Sequence, residues 1–232
     1  MKKIGIIGAM DEEVRQLKEK MTNVQVRTKA SMEFYSGNLF EKDIVVVRSG
    51  IGKVNAAICT QILIDEFQVE AVFNTGIAGS LKNEINIGDI VLSTDAVQHD
   101  MDVTSFGHGY GVIPRMETSI FPADQELRML AKAVCEEVNP EIKVYEGRVV
   151  SGDQFIDDKN KKKWIANQFQ GSCTEMEGAA IAQAAYLNKI PFLIVRAISD
   201  KADDSANMDY YEFEAQAIDH TVKLMTGIIA KL

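Results

Sequence analysis

The sequence predicts an α/β sandwich around a mostly parallel or mixed sheet, and three observations predict it. Short β-rich runs alternate with stretches whose apolar residues recur three and four apart, so strands and helices take turns along the chain. Several of the β-rich runs are apolar at nearly every position, as strands covered on both faces are. No Pro/Gly/Ser-rich linker and no internal repeat divides the 232 residues, so residues 1–232 read as one domain with a large core.

The elements follow in order. KIGIIGA (3–9) reads as a buried strand, and a helix runs from about Asp11 to Met21. FYSGNLFEKDIVVVRSG (34–50) reads as a hairpin, because an alternating pattern gives way to a continuous Val run. KVNAAICTQILIDEF (53–67) has helical spacing, whereas EAVFNTGIAG (70–79) and GDIVLSTDAVQHD (88–100) are strands that end in small or polar residues. ADQELRMLAKAVCEEV (123–138) is a helix with Pro122 before it and Asp124 as N-cap. A strand near 143–151, a helix near 158–168 and a strand–helix pair over 172–187 follow. The strand PFLIVRAISD (191–200) and an amphipathic helix from about Tyr210 to Lys231 complete the chain.

Composition narrows the function. Apolar residues make up 46%, charged residues 25%, and the net charge of −9 is spread apart from one short run, KNKKKW (159–164). That argues against nucleic acid or an anionic membrane as partner, and the Lys run reads as a solvated helix start. The N-terminal apolar stretch is too short for a signal peptide or a membrane span. Cys59, Cys135 and Cys173 are widely spaced among apolar neighbours, which suits reduced, packed thiols in cytoplasm and neither a disulfide frame nor a metal site.

A sheet of this kind binds ligands beyond the carboxyl ends of its strands. The residues there are Met10 to Glu13, Ser49 to Gly52, Thr75 to Gly79, Ser151 to Ile156, Glu175 to Glu177, and Ser199 with Asp200. Acids and small residues dominate, with Arg48 and Arg196 the nearest cations, so an uncharged polyhydroxylated ligand fits better than a phosphate. GIIGAM departs from G-x-G-x-x-G, and the three acids after it would repel a pyrophosphate. Taken singly, Glu13 reads equally as a helix-dipole partner. Asp200 follows a buried strand and needs a partner or a raised pKa; Arg196, four residues earlier, would face the same side and could form an ion pair with it.

Seven ordered stretches carry a resemblance: IGIIGAMDEEV, SGIGKVNAA, NTGIAGSL, GDIVLSTDAVQHDMDVTSFG, VSGDQFI, TEMEGAAIA and VRAISDKAD. Together they resemble the 5′-methylthioadenosine/S-adenosylhomocysteine nucleosidases of the nucleoside phosphorylase superfamily, from about residue 2 to residue 213. The resemblance implies a three-layer αβα sandwich with a mixed central sheet, no cofactor and no metal, and hydrolysis of a ribose–adenine bond. That chemistry builds positive charge on the sugar and negative charge on the purine, so fixed anions near the sugar and an acid at the base would catalyse it.

By the same resemblance Asp200 would protonate purine N7, Glu13 would take a proton from the attacking water, and Glu177 would accept bonds from the ribose hydroxyls. Met176 would lie beneath the sugar, with Glu175 and Arg196 supporting the ribose and water region. Phe155 would stack on adenine and the backbone of Ile156 would bond its edge. Met10, Ile51, Val103, Tyr210 and Phe213 would line the slot for the 5′-alkylthio group, and Ala78, Gly79 and Ser199 would complete the substrate contacts. The family is dimeric, and a loop of about Phe106 to Pro114, including His108, would close the neighbouring subunit's site. Ile77, Tyr210 and His108 depart from residues common in the family, so the ranking of thio-nucleoside substrates stays open. The rivals are a purine nucleoside phosphorylase, a nucleosidase for a futalosine-type substrate, and a non-catalytic nucleoside-binding module.

Overall fold

The computed structural model of the chain describes residues 3–202 and 206–232. A strand buried from its second residue, β1 (Lys3–Gly8), leads into α1 (Asp11–Lys20), whose inner face is Glu13, Val14 and Leu17. β2 (Thr22–Lys29), β3 (Met32–Leu39) and β4 (Lys42–Arg48) form an antiparallel meander, where the sequence suggests only a hairpin over 34–50. β2 has only a short alternation, Val24 and Val26, and all eight of its residues are exposed, so no buried apolar run marks it; its backbone pairing with β3 makes it a strand.

α2 (Lys53–Phe67) is followed by β5 (Ala71–Ser80), β6 (Ile90–Gln98), a 3₁₀ turn (Thr104–Phe106) and the short β7 (Phe121–Pro122). α3 (Gln125–Val138) and α4 (Lys159–Phe169) flank β8 (Val144–Ser151). The Asp124 carboxylate caps α3 by accepting from Leu127 N at 2.9 Å, as expected, and Asp158 caps α4 in the same way at Lys161 N. β9 (Cys173–Glu175), α5 (Gly178–Leu187), β10 (Phe192–Asp200) and α6 (Ala206–Lys231) complete the fold, α6 starting ahead of the expected Tyr210.

The sheet is mixed. β1 runs parallel to both β4 and β5, and β5 runs parallel to β10. β10 is antiparallel to β6, β6 and β9 are parallel to β8, and β9 returns antiparallel to β5. The path β5–β10–β6–β8–β9 therefore closes on itself, which removes sheet edges at the centre of the molecule and leaves the exposed β2 at the rim. α1, α3 and α6 pack together over one face, and α2 packs on α5 over the other. β5 and β10 are buried at every position, the price of lying between both helical layers.

Two features aim residues at the ligand side. Between Ile198 and Asp200 the register of β10 slips, so that Ile198 pairs with Ala78 and Asp200 with Gly79. This bulge at Ser199 breaks the strand's alternation, and a bulge of that kind re-aims the side chain that follows it. The turn 49–52 folds back on β1 through Ser49 N to Gly8 O (2.9 Å) and Gly50 N to Ala9 O (3.1 Å), with Gly50 and Gly52 both at positive φ.

The core test lies in α2, where Leu63 is fully buried with its Cδ1 over Gly5 of β1. Leu63→Ala is expected to cost about 2–5 kcal/mol. A urea titration would show it as a lower midpoint with an unchanged slope.

Candidate active site

The strand ends converge. Glu13, Glu177 and Asp200 all line one cleft of about 430 Å³, a volume typical of small-molecule sites. Met10, Ile51, Ala78, Gly79, Phe155, Glu175, Met176, Ser199 and Tyr210 line it with them. Ile156 lines a recess of about 30 Å³ at one end, bounded also by Phe155, Met176 and Asp200. Arg196 lies behind the wall, 1% exposed. Val103 and Phe213 are outside the lining, as are Phe106, His108 and Pro114, whose loop carries the exposed Phe106 and packs Tyr110 on Trp164 of α4. Residues of the lining to which sequence analysis assigns no role are Ala9, Thr174 and Tyr211; Thr174 sits inside the TEMEG motif, which is the one signal that could have found it.

Glu13 stands in the first turn of α1 and folds back on the strand end before it. Its Oε2 accepts from Ala9 N (2.6 Å) and Met10 N (3.1 Å), and its Oε1 accepts from Ile77 N (3.1 Å). The side chain thus caps its own helix and pins β5 to α1 while facing the cleft. Gly76 makes room for this: a Cβ there would collide with both the Glu13 carboxylate and the Arg196 guanidinium.

Glu175 and Glu177 have different duties. Both Glu175 oxygens are consumed internally, by Glu177 N (3.1 Å), Gly178 N (2.8 and 3.0 Å), the Ser151 hydroxyl and Arg196. The Ser151 oxygen in turn accepts from Ala179 N at 2.7 Å, so the N-terminus of α5 is fully capped and its dipole faces the anions. Glu177 is less engaged: Oε1 accepts from Gly52 N at 2.8 Å, and Oε2 lies 3.6 Å from Arg196.

Arg196 serves all three glutamates. It bonds Glu175 directly, stands 3.6 Å from Glu177 and 3.9 Å from Glu13, and donates to Asn74 Oδ1 at 2.6 Å. The ion pair with Asp200 that four-residue spacing suggests is not among its contacts, because the bulge at Ser199 turns Asp200 away from Arg196's side. Asp200 instead accepts from the Ser199 hydroxyl (2.8 Å) and from Ala202 N (2.7 Å). Arg48, the other cation suggested for this region, is at the surface with Asp11, 3.1 Å away.

The segment bearing Phe155 is bracketed by three residues that lie within the ordered motifs but to which the sequence alone gives no role. Asp153 Oδ1 accepts from Lys53 N (2.8 Å), Asp100 Oδ2 accepts from Asp153 N (2.9 Å), and Lys53 Nζ donates to Asp100 Oδ1 (2.6 Å). The turn that holds Glu177 and the loop that holds Phe155 are therefore tied at one place. Phe155 is 44% exposed and meets Tyr210 edge-on, while the Tyr210 hydroxyl is held by Glu214 at 2.9 Å.

Burial governs the charge states. It pushes Glu13 above the ordinary carboxylate range, against the pull of Arg196 and of three backbone N–H groups. Burial, reinforced by the Glu175 charge, pushes Glu177 up to about 8, against Arg196 and the Gly52 N–H. For Arg196, burial works against the charge, but the three glutamates outweigh it and the pKa rises. Among the described residues, the cleft lining holds acids and no Lys, Arg or His. Such a surface stabilises a cation or a group becoming one.

The comparisons agree with this chemistry. The family profile of the phosphorylase superfamily matches residues 3–230. A 5′-methylthioadenosine/S-adenosylhomocysteine nucleosidase of Exiguobacterium sp. is 42% identical over 231 residues, covering 99% of this chain and 98% of that protein. The crystal structure of the nucleosidase of that name from Neisseria meningitidis, in complex with methylthio-immucillin-A, superposes with a TM-score of 0.95 at 37% identity over 100% of both chains. The native structure of a futalosine hydrolase from Helicobacter pylori superposes with a TM-score of 0.94 at 34% identity, over 100% of this chain and 98% of that one.

The raised Glu177 pKa has a sign that can be measured. The folded state retains a proton that the unfolded state releases, so this group's contribution to stability falls as pH rises from about 4.5 through about 8. Glu177→Gln removes the effect. Relative to wild type, the ligand-free variant is expected to gain more than about 1.4 kcal/mol between pH 5 and pH 8.5, the equivalent of one pKa unit. Thermal unfolding at both pH values checks it, and a gap independent of pH would contradict it.

Proposed function

Because the chain belongs to the phosphorylase superfamily, in its 5′-methylthioadenosine/S-adenosylhomocysteine nucleosidase branch of N-ribosyl hydrolases, we propose that it cleaves both thio-nucleosides by acid-assisted departure of adenine and attack of water. The observation that carries this reading is the convergence of Glu13, Glu177 and Asp200 on one cleft whose lining, among the described residues, holds no cation.

In this mechanism Asp200 donates a proton to N7 of the purine, which leaves as a neutral base. Its position past the Ser199 bulge supports that role, since it faces the cleft with Ala202 N and the Ser199 hydroxyl orienting both oxygens. As the bond to adenine lengthens, the ribosyl ring becomes cationic. Glu177, in its ionised form, accepts bonds from the ribose hydroxyls and stabilises the cation that develops beside it. Met176 underlies the sugar. Glu13 removes the proton from the attacking water, and its raised pKa brings it closer to the range of an effective base at neutral pH. Glu175 and Arg196 are positioning residues: both Glu175 oxygens are held by the α5 N-terminus, Ser151 and Arg196, and Arg196 lies buried behind the cleft wall and acts through the glutamates. Phe155 and the Ile156 backbone take the adenine, and Met10, Ile51 and Tyr210 border the alkylthio slot.

A phosphorolytic reaction would need a phosphate mono- or dianion within reach of Glu13 and Glu177. Arg196 is already shared among three carboxylates, so the repulsion would go uncompensated. The likeness to a futalosine hydrolase keeps a futalosine-type substrate as the second reading, decided by head-to-head kcat/KM.

The active unit is a homodimer in this proposal. α2 is apolar almost all round: one face fills the core, while Val54 and Ile58, with Ile51 in the turn before it, are 69%, 43% and 54% exposed. Ile51 also lines the cleft, so a subunit seated on this face would close it, with the neighbouring subunit's 106–114 loop as lid. Three buried thiols and the absence, among the described residues, of a helix long and apolar enough to cross a membrane support a cytoplasmic enzyme.

Two experiments test the reading. Asp200→Asn and Glu13→Gln should each fold normally and lose roughly 10²–10⁴-fold in kcat; chromatography of products from methylthioadenosine should give adenine and free thioribose, with or without added phosphate. Activity within a few-fold of wild type, or phosphate-dependent ribose 1-phosphate, would overturn it. Val54→Asp combined with Ile58→Lys should yield a monomer in sedimentation velocity together with a fall in kcat/KM. A fully active monomer would remove the closing subunit from the mechanism.

A further inference from the structure

One polar group in the cleft has no partner. The Thr174 hydroxyl is buried without a hydrogen bond, and the residue is only 5% exposed. It lines both the main cleft and the small recess where Phe155, Ile156 and Asp200 meet. Buried hydroxyls left unpaired are costly and therefore uncommon, so this one has a use that the ligand-free protein does not reveal.

Its place in the sheet indicates what that use is. Thr174 on β9 pairs with Gly79 on β5, and Gly79 pairs with Asp200 on β10. The three residues form one row across the sheet, with a glycine in the middle. A Cβ on Gly79 would come within 2.6 Å of Asp200 Oδ1 and 2.8 Å of Ala202 Cβ, so the row stays open only because that residue has no side chain. Thr174 and Asp200 thus face one gap from opposite sides, about two strand spacings apart, on the order of 10 Å between backbones. A flat heterocycle entering the gap meets the carboxylate on one edge and the hydroxyl on another.

We propose that Thr174 is a specificity-determining residue whose hydroxyl bonds a heteroatom of the leaving base other than the one that Asp200 protonates. The inference rests on the nucleosidase reading and extends it to recognition of the base. The hydroxyl can donate or accept, so it discriminates by the presence of a polar atom at that edge rather than by its type.

Thr174→Val keeps the shape and deletes the hydroxyl; Thr174→Ser keeps the hydroxyl. Calorimetry with adenine and hydrolysis of methylthioadenosine read the ligand, and thermal unfolding of the ligand-free protein reads the fold. The expected result is opposite signs: Thr174→Val binds adenine about 3- to 10-fold more weakly and loses kcat/KM to match, while its Tm is unchanged or raised because an unpaired buried group has gone. Thr174→Ser retains wild-type affinity. Among ring-deaza analogues, the one lacking the contacted nitrogen binds both wild type and Thr174→Val equally. Adenine affinity unchanged in Thr174→Val, with wild-type hydrolysis intact, overturns the inference and leaves the nucleosidase reading standing. A fall in affinity matched by a fall in Tm assigns Thr174 a structural role and overturns it too. A wild-type protein that neither hydrolyses methylthioadenosine nor binds adenine overturns both.

Discussion

The structure depends on one guanidinium. Arg196 is buried at the centre of the closed strand ring and balances Glu13, Glu175 and Glu177, which come from a helix, a strand end and a helix start. Taking these charges out of water is expensive, and the assembly is tolerable only because nearly every remaining donor and acceptor is used. Asn74 Oδ1 accepts a hydrogen bond from Arg196, backbone amides donate to most of the carboxylate lone pairs, and Gly76 supplies the space. Within this cluster of Arg196 and the three glutamates, Arg196 Nε stays unmatched among the described residues. Three acids surround that one cation, and burial holds Glu13 and Glu177 above the ordinary carboxylate range; a positive charge developing beside them favours their ionised forms.

The same arrangement separates structural acids from chemical ones. Glu175 and Glu177 are two residues apart, yet Glu175 is saturated by the α5 N-terminus, Ser151 and Arg196, whereas Glu177 has one amide and a distant guanidinium. Burial and its neighbour's charge then raise the Glu177 pKa, which a fully hydrogen-bonded carboxylate would resist. Glu13 lies between these extremes, since it caps its own helix with the same oxygens that border the cleft. The ordinary reading of Glu13 as a helix-dipole partner and the proposed catalytic one are therefore compatible: the carboxylate that caps the helix also faces the cleft.

The closure of β5, β10, β6, β8 and β9 explains how groups distant in sequence hold their positions. Asp200 and Thr174 flank Gly79 because β10 and β9 are both hydrogen-bonded to β5, and the Lys53–Asp100–Asp153 bracket joins the turn after β4 to the loops after β6 and β8. Loops carrying ligand contacts are ordinarily the mobile parts of an α/β protein. Here those on the Glu177 and Phe155 sides are tied to each other by an ion pair only about one-sixth exposed on each partner, Lys53 at 17% and Asp100 at 16%.

Sequence by itself determined the alternation of strands and helices, the Asp124 cap, the buried strands 71–80 and 192–200, and the family to which the ordered motifs belong. These are legible because burial on two faces leaves continuous apolar runs, and because capping and strand-end chemistry act over a few residues. Tertiary structure alone decided the rest. β2 has no buried apolar run, only the exposed Val24 and Val26, since it is a strand through pairing and not through burial. Whether Arg196 pairs with Asp200 stays open in the sequence because alternation along β10 holds only up to a bulge that sequence does not mark. Thr174 and the Lys53 bracket went unassigned because a hydrogen bond between residues some 50 to 100 positions apart, or the lack of one, depends on strand register. Local chemistry can be read from neighbouring letters; charge balance at the centre exists only once the ring has closed.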